Sequence, residues 1–264
     1  MINFFRQIRQ RLLTENRFRK YLLYATGEII LVVIGILFAI QINAWRIEKE
    51  NINLEKKTLN KIKIDLTDDI NNLKSVTSFK VNQVITSERL IELFTDSTIQ
   101  VTDTIQFEND VARLIYFILP SLNNTAFETA KNNGYINEIS NDSLVELLSE
   151  YYTEITLYQH VTETKRFTNA FSELILMRKY RLFSKNINAL DGLGGEYKLK
   201  HYKNDKRTLY SIDDFRHDIE VENYINAFII RLNIGINYLK NKEMIARQLI
   251  KIIDNELISK ITKG

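Results

Sequence analysis

The side chains best suited to chemistry are few and scattered. His160, His201 and His217 are the only histidines in a chain of 264 residues, and cysteine is absent. With no thiolate available, a metal site would need an imidazole–carboxylate cluster. Only Asp213, Asp214 and His217 offer such a spacing, with the two carboxylates four and three residues before the imidazole. A plainer account is preferred, in which the carboxylates complement the positive end of a helix and His217 lies on the surface. No G-x-S-x-G, H-E-x-x-H or P-loop pattern occurs, and the DGLGG run at 191–195 lacks the strand and helix that phosphate binding requires. We therefore expect no catalytic residue, no metal, no cofactor and a non-enzymatic protein.

Two other groups of residues could carry function. Lys198, Lys200, Lys203, Lys206 and Arg207, interleaved with Tyr197, Tyr202 and Tyr210, form a basic–aromatic patch suited to an anionic lipid, polymer or protein. A solvated hairpin is the commoner meaning of such a run. Glu28 is the other candidate, an acid inside an apolar stretch. It either pairs with a partner helix as a buried carboxyl or snorkels at the membrane boundary, and the second reading is preferred. Asp65, Asp68 and Asp69 read as solvent-facing helix residues. Of Tyr151 and Tyr152, adjacent and about 100° apart on a helix, one can enter the core while the other lines a groove.

The elements that position these residues begin with a membrane segment. Tyr21–Ile42 reads YLLYATGEIILVVIGILFAIQI, long enough at about 1.5 Å per residue to cross about 30 Å of hydrocarbon. Tyr21, Tyr24 and Trp45 suit the two interfacial belts. The stretch is longer than a signal-peptide core, and a cut after Ala44 would find Ile42 where a small residue is needed, so an uncleaved anchor is expected. Residues 1–20 hold six basic residues against Glu15, a net +5, while the other 30 basic and 32 acidic residues leave −2. That asymmetry predicts a basic cytoplasmic arm (1–20), a transmembrane helix (21–45) and an extracytoplasmic domain (46–264). It also argues against nucleic-acid binding by the domain. Gly35 and Ala39 form a small-xxx-small pair with Gly27 near the same face, which is either ordinary glycine usage in a membrane helix or a face for close approach of another helix, from a partner protein or in a homo-oligomer.

One proline, eight glycines and the absence of both between Gly35 and Pro120 favour long helices. Ile62, Leu66, Ile70, Leu73, Val81, Val84 and Ile91 recur at 3.6-residue spacing, predicting a helix over about 45–94. A loop at 95–106 precedes a helix over about 108–119 that stops at Pro120. Thr125 with Glu128, and Ser143 with Glu146, have capping-box spacing and predict helices ending near Gly134 and over about 143–184. A kink is expected near 161–166, and residues 195–212 can form a small β-hairpin. The last helix, about 213–262, carries the stripe Val221, Ile225, Phe228, Leu232, Leu239, Ala246, Ile250, Ile253, Leu257 and Ile261, with Gly235 in it. The fold class is all-α, an N-terminal transmembrane helix continuing into an antiparallel helical bundle.

Two stretches resemble a known family. YLLYATGEIILVVIGILFAIQINAW, preceded by FFRQIRQRLLTENRFRKY, is similar to the N-terminal signature of a bacterial family of single-span inner-membrane proteins of unknown function. A second block matches with Thr125-Ala-Phe-Glu128, Lys131-Asn-Asn-Gly134, Asn141, Leu144, Leu148 and Tyr151-Tyr152. Ala44 and Arg46 depart from the polar residues, often asparagine before, that flank the tryptophan in that family. The resemblance implies an inner-membrane anchor with a helical domain outside the cytoplasm, and it supplies no catalytic residues. The expected role is an extracytoplasmic interaction or scaffold module whose partners are the bilayer and another protein. A small-molecule sensor signalling through a separate membrane partner is the alternative.

Overall fold

The computed structural model describes residues 18–114, 116–153, 165–167, 169–170 and 212–261. Helix α1 (Phe18–Thr95) is followed by α2 (Thr104–Arg113), α3 (Thr125–Asn132), a 3₁₀ turn (Tyr135–Glu138), α4 (Asp142–Thr153), the short α5 (Ile212–Arg216) and α6 (Ile219–Ile261). The fold is all-α, and no strand occurs among the described residues. Residues 195–211 of the hairpin expected at 195–212 and residues 161–164 of the kink expected at 161–166 lie outside them, as does most of the helix expected beyond Thr153.

The chain divides into two compact units, Met1–Lys57 and Thr58–Gly264. In the first, α1 is apolar on every side. Ile29–Ile34, Ile36–Phe38 and Ile40 are each between 46 and 72% exposed. Past this stretch the surface turns polar, with Arg46 Nη1 bonded to Glu50 at 3.0 Å and Lys49 Nζ 5.5 Å from the centre of the Trp45 ring.

The second unit is organised around α1 and α6. On α1 a buried seam runs through Leu59, Ile62, Leu66, Asp69, Leu73, Val76, Lys80, Gln83, Ser87 and Leu90, with Glu55, Thr58, Asp65, Ile70, Thr86 and Leu93 also buried. On α6 the seam runs through Val221, Ile225, Phe228, Leu232, Gly235, Leu239, Lys242, Ala246, Leu249 and Ile253, with Ile236 buried beside it. Both series alternate steps of three and four, a period of 3.5 that marks a left-handed supercoiled seam. The helices run antiparallel: Leu59–Ile70 pack with Ala246–Ile253, Leu73 and Val76 with Leu239, and Leu90 and Leu93 with Val221–Leu232. Lys63 Nζ to Asp254, 2.5 Å, joins them at one end.

That period corrects the 3.6-residue stripe expected on α1. Val81 is on the outside, and Val84 and Ile91 are only half-buried. A straight 3.6 pattern drifts about 20° per heptad from a 3.5 seam, which adds up to about 50–60° over the nearly three heptads from Ile62 to Val81 and carries the later positions off the buried face. On α6, Leu249 takes the place expected for Ile250, for the same reason.

Local chemistry explains the other departures. α2 begins at Thr104 because the Asp103 side chain accepts from Gln106 N, and it ends at Arg113, well short of Pro120. There, Gln83 Nε2 donates to the carbonyls of Arg113 and Tyr116, both at 2.8 Å. The expected final helix is broken at His217–Asp218, where Asp218 Oδ1 accepts from Glu220 N and Val221 N and starts α6 afresh. Neither T/S-x-x-E pair forms a capping box. Thr125 is already helical, and α4 is capped by Asn141, whose Oδ1 accepts from Leu144 N at 3.0 Å. α3 does end before Gly134, which sits at φ 75° in the left-handed region that glycine adopts without penalty.

Candidate functional site

The most concentrated chemistry lies where α1, the segment after Pro120, α4 and α6 meet. Three short polar side chains on α1, Asp65, Asp69 and Asn72, share one face at i, i+4 and i+7. They receive the backbone of residues 121–126, which is not helical before Thr125 and must find acceptors for its amides. Ser121 N donates to Asn72 Oδ1 at 2.8 Å, Asn123 N to Asp69 Oδ1 at 2.6 Å and Ala126 N to Asp65 Oδ2 at 2.7 Å. Asn123 Nδ2 adds a bond of 3.0 Å to Asp65 Oδ1. Asp65 thereby caps α3 from another helix, with its charge at the positive end of the α3 dipole.

α4 closes the cluster from the other side. Leu144, Leu148 and Tyr151 form its buried stripe, and the Tyr151 hydroxyl donates to Asp69 Oδ2 at 3.0 Å. Lys242 of α6 is 1% exposed; its Nζ donates to the Tyr151 carbonyl at 2.6 Å and stands 4.2 Å from the ring centre. The antiparallel register puts Asp69 and Lys242 in one layer of the seam, with Tyr151 touching both. Tyr152 meets Tyr151 edge-on at 4.9 Å and stacks on Phe127 at 5.1 Å. Its hydroxyl is buried without a hydrogen-bond partner among the described residues.

Burial shifts the protonation of this cluster. Asp69 is fully buried, and loss of hydration pushes its carboxyl from 3.8 up to about 6. The bonds from Asn123 and Tyr151 oppose that rise, and the charges of Asp65 and Asp68 add to it. Desolvation also drives both phenols upward, followed for Tyr151 and Tyr152 alike by the charge of Asp69. All four carboxylate oxygens of Asp65 and Asp69 are engaged by protein donors. The cluster is a clasp between segments, built to hold chain.

Tyr151→Phe tests the clasp with little change of shape. Asp69 Oδ2 loses its donor in a buried place, so unfolding free energy is expected to fall by about 1–3 kcal/mol. An unchanged urea midpoint for this variant would refute the role given to the hydroxyl.

A second buried polar group lies further along the domain. Asp110, 2% exposed, receives Arg89 through two bonds of 2.7 and 3.1 Å and Gln106 Nε2 at 2.7 Å. Lys80, a buried residue of the α1 seam, stands 5.5 Å from the Phe117 ring centre, and burial lowers its pKa. These contacts hold α2 and the segment after it against α1.

The residues singled out from the sequence fall elsewhere. Gly27, Glu28, Gly35, Ala39 and Trp45 all lie on α1 within the first unit, along with Tyr21 and Tyr24. Gly27, Gly35 and Ala39 are exposed, and a Cβ at either glycine would meet nothing within 4 Å; Glu28 is half-buried. The patch Lys198, Lys200, Lys203, Lys206 and Arg207 is outside the described residues. His217 Nδ1 lies 2.8 Å from the Asp213 carbonyl oxygen, and both side chains are exposed. The clasp was missed because Asp65 and Asp69, expected on the solvent face, are buried. Their one signal is that Asp69 occupies a seam position once the seam is counted at 3.5 residues.

Fold and site together define an all-α chain with an internally satisfied polar clasp. Among the described residues it has one helix, near the N-terminus, long and apolar enough to cross a membrane. Comparison of the chain with protein-family models, with curated proteins and with solved structures found no match to any of them.

Proposed function

We propose that this protein is a single-span, membrane-anchored interaction module, with residues 46–264 displayed outside the cytoplasm of a bacterial cell. The observation that carries this reading is the apolar girdle Ile29–Ile40, exposed all round the helix. Soluble proteins rarely expose an apolar surface of that extent, and lipid is the solvent it fits. The +5 arm before it favours a cytoplasmic N-terminus. The resemblance of the YLLYATGEIILVVIGILFAIQINAW stretch to a family of inner-membrane proteins supports the same placement.

The domain's chemistry supports binding over catalysis. A general acid or base must present an atom to its substrate. Here every oxygen of Asp65 and Asp69 is occupied by an internal donor. A clasp of that kind holds a surface in shape for another protein to recognise.

The lack of cysteine makes the topology directly testable. Single-cysteine variants Ser75→Cys, at an exposed position of α1, and Gln10→Cys, in the arm, are treated with a membrane-impermeant maleimide. Ser75→Cys is expected to label in intact cells and Gln10→Cys only after lysis. Labelling in the reverse order, or an intact mass lacking residues 1–44, would overturn the reading.

A further inference from the structure

We propose that Asp69 is a proton-operated clasp, in which uptake of one proton tightens the hold of α1 on the 121–126 segment and α4, and its loss loosens that hold. The geometry points to this in three ways. Asp69 is fully buried, yet both of its hydrogen-bond donors, a backbone amide and a phenol, are neutral. The carboxylate therefore carries its charge out of water with no opposite charge bonded to it, which costs free energy. A second buried carboxylate, Asp65, lies one turn away and shares Asn123 with it, so the two charges repel across a common partner.

Protonation removes that cost without breaking the contacts. A neutral Asp69 still accepts from Asn123 N through Oδ1, and a protonated Oδ2 can donate to the Tyr151 oxygen. The titratable groups around Asp69 are Asp65 and Asp68 from α1 and Tyr151 and Tyr152 from α4, and its partner Tyr151 in turn meets Tyr238 and Lys242 from α6. Burial moves the Tyr151 and Tyr152 phenols further above their ordinary range, so neither contributes a charge at ordinary pH. Lys242 lies against the Tyr151 ring, and its Nζ donates a hydrogen bond to the Tyr151 carbonyl.

The direction follows from linkage. With the folded carboxyl raised to about 6 and the opened one at its ordinary 3.8, the closed clasp binds the proton more tightly. Its extra stability is complete below 3.8 and is lost as pH rises through 6. Between pH 7.5 and pH 5 the opening equilibrium is expected to shift about tenfold towards the closed form, for one group with those two affinities.

Amide hydrogen exchange on the full chain in lipid nanodiscs, corrected for the intrinsic pH dependence, reads this out. Protection at Asn123 and Ala126 should rise about tenfold from pH 7.5 to 5, while the amides of α2 do not follow. Asp69→Asn, the neutral isostere, should show at pH 7.5 the protection that the unaltered chain reaches near pH 5, with no step between. A step that persists in Asp69→Asn, or no step in the unaltered chain, overturns the proposal. Should the variant fail to fold, the carbon-13 shift of the Asp69 carboxyl in the unaltered chain decides. A midpoint near 6 supports the clasp, and one in the ordinary aspartate range refutes it.

Discussion

The double variant Ile34→Lys, Leu37→Lys is expected to disappear from the carbonate-washed membrane fraction. On insertion scales each large apolar residue near the centre of a span favours the membrane by about 0.3–0.6 kcal/mol. The ten from Ile29 to Ile40 together supply about 3–6 kcal/mol on that scale. A central lysine costs about 2.5–3.5 kcal/mol. One lysine therefore leaves insertion near balance, and two reverse it. Each single variant should retain a large share of chain in membranes, which separates a failed span from a general loss of expression. Full retention of the double variant after alkaline carbonate extraction would show that this stretch is not what holds the protein to the bilayer.

Inside the domain, the largest single loss is expected from Phe215→Ala, at about 3–5 kcal/mol of unfolding free energy. Phe215 is the one buried residue of the five-residue helix α5 and is fully enclosed. It meets Phe94 of α1 at 5.0 Å, tilted by 43°, and Phe107 of α2 edge-on at 5.0 Å. α5 is far too short to be stable alone, so its place depends on this contact and on Arg216, which donates to the carbonyls of Ser97 and Ile99. Truncation removes the aromatic volume, leaves a cavity among three helices and forfeits two ring contacts. Phe215→Leu should cost less than half as much, because it fills most of the space. Ile230→Ala, at a position 62% exposed, should change stability by no more than about 0.5 kcal/mol. Urea unfolding of the three variants in one detergent settles the order. Equal losses for Phe215→Ala and Ile230→Ala would mean that the aromatic cluster contributes nothing particular to the fold.

Much of the fold could be read from residue order, and the exceptions share a cause. The run without glycine or proline from Ile36 to Leu119 permits one long helix, and α1 continues to Thr95. The capping signals were found in the right places but attributed to the wrong atoms. Ser143 and Thr125 read as caps because local spacing is all a sequence displays, whereas Asn141 and the distant Asp65 make the bonds. An acceptor 61 residues away leaves no mark in the spacing around Thr125. The candidate site was illegible for the same reason. Asp65 and Asp69 are charged residues on a helix, for which the surface is the reasonable default. Lys242, omitted from the apolar stripe of α6, occupies a seam position that only its neighbours reveal.

The residues from Gly134 to Tyr151 have structural roles throughout. Gly134 supplies a left-handed turn, Asn141 caps α4, Leu144 and Leu148 face the core, and Tyr151 reaches Asp69. Each of those roles depends on geometry rather than on reactivity.

Composition and the order of residues determined the helical class, the length of α1 and the apolar character of its first half, because each follows from local forces. Backbone propensity, the lack of helix breakers and the length of an uncharged run act within a few turns of the chain and need no partner. The tertiary structure alone decided which polar residues are buried and in what phase the seam runs. Burial belongs to pairs of surfaces, and a carboxylate such as Asp69 can sit in the interior only when Asn123 and Tyr151, 54 and 82 residues onward, arrive to bind it.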